Sequence, residues 1–409
     1  MRAEIIATGS ELLSGGVLDT NSLFLSEELL GMGIETAFKT VVGDSEKDMD
    51  EAIRRALARA DAVFITGGIG PTEDDITRKV VAKITRKRLV LNEDALAAIK
   101  SVLASKVYHP ANDRQALIPA GARTLANPVG VAPGFFLDED GKFLAVLPGV
   151  PEEMRAMFSA ELKQVLDERL ESRAFLRRRV LRTCGMSESA VNQAIQDVMK
   201  RSNPAVGLTV KPTGVDVRIM AREGGMERSQ SLVERTENEI RQRLGDAVYG
   251  VDDQELEEIV GALLKQRGLK LSIAESCTGG LLGARITNVA GSSDYFERGV
   301  VVYSNRSKSE LLGVPAEVIE RHGAVSRETA SAMAQGIREA AKTDLGLAVT
   351  GIAGPGGGTP EKPVGLVYIA LASSSGVKVD EQRFLGSRDQ VRLKASQAAL
   401  DMVRRYLIG

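Results

Sequence analysis

Twice along its 409 residues the chain runs an apolar strand into a glycine-rich turn and then into a helix, and this repeated punctuation constrains the fold more than any other feature. Over the first 70 residues strand-like and helix-like periods alternate: strands at 4–8, 36–42 and 62–66, helices around 23–30 and after Ser45. Strands that alternate with helices in this way form a parallel sheet wound on both faces. The pattern restarts with a helix from Glu255 to about Gln266, a strand at 270–274 and a helix at 281–288. Between them lie a helix at 188–199, strands at 207–210 and 215–221, and a helix at 229–244. The expected architecture is α/β: two doubly wound α/β domains, 1–170 and 253–409, joined by a small α+β domain, 171–252.

In doubly wound sheets ligands sit beyond the carboxyl ends of the strands. In the first domain those ends carry Gly9-Ser10-Glu11, Gly43-Asp44 and the run from Gly67 and Gly68 through Gly70, Pro71, Thr72 and Glu73 to Asp74 and Asp75. Such a glycine turn lets backbone amides approach an anion, and Thr72 is expected to open a helix behind it. Asp75 has two readings. It can close a capping box on Thr72, or, beside Asp74 and a bound phosphate, it can hold a divalent cation.

The chemistry available elsewhere is narrow. With two Cys and two His, each singly placed, a zinc site is excluded, and unpaired-looking cysteines fit a reducing compartment. The start MRAEIIATGSELL has no signal-peptide pattern and no apolar run nears the ~18 residues of a membrane span, so a cytoplasmic protein is expected. Lys and Arg number 53 against 55 Asp and Glu, a formal charge of −2 that gives no field for nucleic acid. Arg173, Arg177, Arg178, Arg179 and Arg182 form a basic run, but no aromatic side chains interleave with it; solvated arginines flanking a strand are expected, and Cys184 reads as a buried apolar residue.

In the last domain Glu275-Ser276-Cys277-Thr278-Gly279-Gly280 joins strand to helix. A serine on such a turn is exposed at the sheet edge, where amides at the helix start can receive an oxyanion. A serine N-cap with a tight glycine turn satisfies the same residues, and Cys277 is a second possible nucleophile.

Longer strings carry a resemblance. GSELLSGGVLDTNS, GGIGPTEDDIT, NPVGVAPGF and LPGVPEEM, over about residues 3–168, resemble the molybdenum-cofactor-biosynthesis-like domain of the CinA (competence/damage-inducible) family. That resemblance implies a metal-dependent ADP-ribose pyrophosphatase or, as in distant relatives, a molybdopterin binder. It implies a pocket of Gly9, Ser10, Glu11, Asp44, Gly67, Gly68, Gly70, Thr72 and Asp75, rimmed by Asn127, Pro148 and Gly149, with Asp44 and Asp75 as metal ligands. The middle segment resembles the family's KH-like domain; it lacks the GxxG loop of a nucleic-acid KH module, so a spacer or dimerisation role is expected, not direct nucleic-acid contact.

AESCTGG, GSSDYFERGVVVYSN followed by Lys308, HGAVS and TGIAGPGGGTPEKPVG resemble the family's nicotinamide-nucleotide amidase domain, over about residues 255–407. The resemblance implies hydrolysis of nicotinamide mononucleotide without a cofactor, with Ser276 as nucleophile, Lys308 as base and Tyr303 as proton holder. Thr278, Gly279 and Gly280 would complete the acyl end; Gly351, Gly354, Gly356 and Arg388 would take the rest of the substrate, including its phosphate. Lys308 as a phosphate clamp is the alternative, and His322 is expected to support its turn. Where the family often shows GDR, this chain has Gly386, Ser387 and Arg388. The whole reads as a bifunctional hydrolase of small nucleotides, a homodimer by resemblance; the rival is a non-catalytic protein of DNA uptake or recombination.

Overall fold

A computed structural model describes residues 1–103, 108–170 and 175–409. They group into two compact units: Met1–Arg177 with Arg222–Gln230, and Arg178–Ala221 with Ser231–Gly409. Of the sequence expectations, Arg173 lies outside the described residues.

The first unit holds a six-stranded sheet in the order Glu35–Val42, Arg2–Thr8, Ala62–Thr66, Lys142–Leu147, Gly134–Glu139, Arg123–Leu125. The first four strands are parallel and the last two antiparallel. Successive residues pack on opposite faces. Ile6, Val63 and Ile65 join Met49, Ile53 and Val80 in one core, while Ile5, Phe64 and Leu147 join Leu25, Leu29 and Met154 in the other. Both faces are therefore covered by helices, which is why these strands read as continuous apolar runs. Burying each such side chain contributes about 1.5–3 kcal/mol.

A four-stranded sheet, most of it in the second unit, orders Ala205–Lys211, Gly214–Glu223, Phe175–Thr183 and Val248–Val251, and packs Val217, Ile219 and Leu181 against Val191, Ile195 and Ile240. The arginines expected to be solvated on this sheet are not all so. Arg182 is buried, donating to Asp216 at 3.2 Å and to the Asp252 carbonyl at 2.6 Å, and Arg179 pairs with Glu237 and Asp252 at 3.2 and 3.0 Å. Each is matched by an acid that lies far away in sequence, so a window of neighbouring residues shows only the positive half. Cys184 is buried as expected, and burial pushes its thiol up to about 12.

The remaining sheet of this unit runs Phe296–Val301, Leu271–Glu275, Leu345–Gly351, Leu366–Ser373, Gly376–Arg383, the first three strands parallel and the others antiparallel. Both of its faces are also filled, Ile273 and Leu347 on one side, Ala274 and Ala348 on the other. The two doubly wound domains thus carry antiparallel strands at one edge, a common variation on a parallel sheet. A 21-residue helix, Arg388–Ile408, packs against the helix Leu256–Arg267 and ends in a charged cluster: Asp401 accepts from Arg404 and Arg405, and Arg404 also bonds the Asp246 carbonyl. Among the described residues no helix is long and apolar enough to cross a membrane.

Candidate functional sites

In the first unit the carboxyl ends of parallel strands open on a cleft of about 460 Å3. Gly9, Glu11, Asp44, Gly67, Gly68, Gly70, Asp75, Pro148 and Gly149 line it, as expected. Gly67 has a positive φ of 107°, and a Cβ there would strike the Thr8 carbonyl, so only glycine lets the chain turn at this strand end. Ser10 and Thr72 are not on the wall. They act one step behind it: the Ser10 amide donates to Asp44 Oδ2 at 2.9 Å, and the Thr72 amide and hydroxyl donate to Asp75 Oδ2 at 2.8 and 2.5 Å. Asn127 likewise holds Glu153, at 2.8 Å, and the loop carbonyl of Ala132.

Thr72 does not open a helix. That helix is Thr77–Ile84, five residues on, because Asp75 folds the intervening residues into a closed turn and Thr77 Oγ1 bonds back to the Gly67 carbonyl at 2.9 Å. Arg78, which sequence reasoning did not single out, is buried and braces the turn through the carbonyls of Ile69 and Gly70; burial lowers its guanidinium to about 10. Asp74, placed by the sequence at this strand end beside Asp75, is on the wall, and Glu153 was missed although PEEM was legible.

Five carboxylates, Glu11, Asp44, Asp74, Asp75 and Glu153, therefore line one cleft. Among the described residues no group of three or more His, Cys, Asp or Glu is placed to hold a metal by itself. Asp44 and Asp75 each spend Oδ2 on local donors, and Oδ1 of each accepts no hydrogen bond among the described residues. This all-oxygen set fits a hard divalent cation that keeps water and takes substrate oxygens, not one caged by protein.

The second unit has a smaller cleft, about 260 Å3, at the point where strand order reverses between Leu271–Glu275 and Leu345–Gly351. Ser276, Tyr303, Lys308, Gly351, Gly354, Gly356 and Arg388 all line it. Lys308 Nζ lies 3.2 Å from Ser276 Oγ and donates to the Val302 carbonyl at 2.9 Å and the Tyr303 carbonyl at 3.5 Å. Lys308 is 1% exposed, pairs with no carboxylate among the described residues, and burial lowers its pKa below the usual lysine value. A neutral amine suits these partners: two N–H bonds to carbonyls leave its lone pair for the serine hydroxyl.

Several expectations change. Ser276 caps no helix: the following helix, Leu281–Thr287, has Gly280 at its N-cap and no side-chain cap. Thr278, Gly279 and Gly280 do not line the cleft. Thr278 is fully buried, the Gly279 amide bonds the Ser276 carbonyl, and the Gly280 amide bonds the Glu275 carboxylate at 3.0 Å. Glu275, also unanticipated, takes the Leu282 and Gly283 amides too, so the helix start is not open to an oxyanion. The amides of Cys277 and Thr278 remain without an acceptor elsewhere among the described residues.

Tyr303 is 62% exposed and its hydroxyl accepts from Arg388 at 3.0 Å, so it belongs to the cleft mouth instead of the serine–lysine pair. Arg388 also donates to the Gly354 carbonyl at 2.8 Å, and Ser387 caps its helix in a capping box with Gln390. Serine and aspartate are equally good N-caps, which is why the GSR string still positions the arginine. His322 lies at a helix end, 3.6 Å from Glu328 and outside the cleft lining; the cleft wall that follows it, Ala324 and Val325, is tied by Thr350 and Lys362. Burial pushes the Cys277 thiol up to about 12, which keeps it protonated and a poor nucleophile near neutral pH.

Each unit thus carries such a cleft at the carboxyl edge of a doubly wound sheet, and the described residues form a modular α/β protein of three larger sheets in sequence, with a two-stranded ribbon of Leu89–Leu91 and Leu117–Pro119 beside the first. Family models match it in series: a probable molybdopterin binding domain over residues 4–168, a damage-inducible protein CinA KH domain over 178–250, and a CinA C-terminal domain over 253–407. CinA-like proteins of Koribacter versatilis and Dictyoglomus thermophilum are 46% and 43% identical over 415 and 412 residues, covering the whole of both chains in each case. The crystal structure of a competence/damage inducible protein from Agrobacterium tumefaciens is 43% identical over 38% of this chain and 94% of its own, with a TM-score of 0.37. The chain belongs to the CinA family.

Proposed function

We propose that the second cleft is an amidohydrolase site acting on nicotinamide mononucleotide. The observation that carries this reading is a serine hydroxyl 3.2 Å from a buried lysine whose amine has lost the pull of any carboxylate. Ser276 Oγ attacks the carboxamide carbon as its proton passes to Lys308 Nζ. The amide of Cys277, which lines the cleft and has no other acceptor among the described residues, receives the oxyanion. Lys308 returns the proton to the departing nitrogen, ammonia leaves, and a serine ester remains. Water attacks that ester, gives a proton to Lys308, and Ser276 recovers it as nicotinate mononucleotide is released. Among the described residues no carboxylate lines this cleft, and Arg388 at its mouth suits a substrate phosphate. Ammonia release from nicotinamide mononucleotide by the whole protein, lost in Ser276→Ala, tests the reading; equal release by both proteins overturns it.

The first cleft we read as a metal-dependent ADP-ribose pyrophosphatase, giving AMP and ribose 5-phosphate. Asp44 and Asp75 would hold the cation, which supplies charge neutralisation at the pyrophosphate when bound. The glycine turn braced by Arg78 presents backbone to the substrate, and the cleft's larger volume accommodates a longer ligand. The matching molybdopterin-binding model supports a second reading, a binding module. AMP release from ADP-ribose with added divalent metal favours hydrolysis; pterin binding without such release favours the module.

A further inference from the structure

Glu275 ends an interior strand of its sheet, 2% exposed, with no cationic partner among the described residues. Such a group is costly to bury unless its oxygens are saturated by donors. Here they are: Oε2 accepts from the Gly280 and Leu282 amides, both at 3.0 Å, and Oε1 from the Gly283 amide at 2.8 Å. Those three amides lie on the far side of the turn that begins with Ser276. The carboxylate therefore draws the end of the turn back onto the strand that starts it. Gly280, at φ 93°, supplies the left-handed bend this requires.

The main chain of the same residue reaches the other half of the pair. The Glu275 carbonyl accepts from the Val302 amide at 2.8 Å, and the Val302 carbonyl accepts from Lys308 Nζ at 2.9 Å. The next amide along, that of Ser276, is fixed to the Val349 carbonyl at 2.9 Å. One residue thus ties the turn bearing the nucleophile with its side chain and the segment holding the base with its backbone.

We propose that Glu275 is a positioning residue that sets the Ser276 hydroxyl against the Lys308 amine by clamping the turn between them. This rests on Ser276 being the nucleophile of the amidohydrolase read above, and it goes beyond that reading by assigning the acid in front of it. A glutamine at 275 keeps the shape and can still accept with its carbonyl oxygen, but its NH2 group meets amide donors where the carboxylate had a second acceptor. One side of the clamp opens.

The test uses the full-length protein and the Glu275→Gln and Glu275→Asp variants. Three readouts are taken: kcat and KM for nicotinamide mononucleotide, the rate at which a fluorophosphonate labels Ser276, and the thermal midpoint. Glu275→Gln is expected to lower kcat and the labelling rate together by about 100-fold, the scale of an ångström of misplacement, while KM changes less than about threefold. Partial recovery in Glu275→Asp is expected. A lower thermal midpoint with kcat and labelling unchanged in the folded fraction would overturn the proposal, leaving a purely structural brace. Should the wild-type protein label at Ser276 yet release no ammonia, the substrate reading fails while the labelling ratio still decides the role of Glu275.

Discussion

The two clefts use opposite electrostatics at the same place in similar sheets. One gathers Glu11, Asp44, Asp74, Asp75 and Glu153 around a glycine turn; the other excludes carboxylates from its wall and buries a lysine instead. In the first, five carboxylates line one wall, the setting in which we propose that a divalent cation binds. In the second, the absence of a nearby acid is what lets burial lower the lysine pKa. A sheet edge therefore does not dictate chemistry. The sign of the charge placed there does.

Crossing single substitutions between the clefts breaks this comparison most directly. Ser276→Ala is expected to reduce ammonia release by at least about 10⁴-fold and leave ADP-ribose hydrolysis unchanged. Asp75→Asn is expected to reduce AMP release by roughly 100-fold or more, as is chelation of divalent metal, with ammonia release unaffected. Assays of both products on each variant check this; cross-effects of tenfold would show the two sites are not chemically independent.

A smaller effect concerns pH. In the proposed mechanism Lys308 acts as a base only when neutral, so kcat/KM for the amide is expected to rise with pH through a pKa below the ordinary lysine value, and Lys308→Arg is expected to abolish that limb with the activity. The stability linkage has the same sign. Burial penalises the protonated form, so the unfolded chain binds more protons in the window between the lowered and the ordinary lysine pKa, and stability rises with pH there. Lys308→Met is accordingly expected to raise the thermal midpoint by a few degrees near neutral pH while inactivating the protein. A midpoint that falls would show that the lysine's hydrogen bonds outweigh its burial penalty.

The smallest effects sharpen the comparison further. Cys277→Ala is expected to keep ammonia release within about threefold, because a thiol held near 12 is protonated at the pH of the reaction. Ser387→Ala is expected to cost about 1 kcal/mol of stability in chemical denaturation through loss of the cap, and Ser387→Asp a few tenths at most.

Much of the fold was legible because apolar periodicity is a local signal. The strand Ala62–Thr66 and the helix Glu188–Met199 fall where the pattern places them, since each is bounded by turn residues and filled with one period. Thr72 was misread for the converse reason: a threonine with an acid three residues on is a helix start only if the intervening chain is helical, and here Asp75 and Thr77 pull it into a turn decided by tertiary bonds. Ser276 and Lys308 became a pair in sequence only through resemblance, because 32 residues separate two side chains that meet at 3.2 Å. Glu275 stood in plain view inside AESCTGG, but an acid at the end of an apolar strand carries no sign that its partners are three amides beyond a turn not yet folded.

The helix Arg388–Ile408 joins these themes mechanically. It begins with Arg388 at the mouth of the second cleft and, 16 residues on, presents Arg404, held by Asp401, to the Asp246 carbonyl of the KH-like segment. At 1.5 Å per residue the span between those two anchors is about 24 Å. Such a rod resists stretching far more than its neighbouring loops do. A shift of Asp246 would therefore be passed along the helix to Arg388 with little slack.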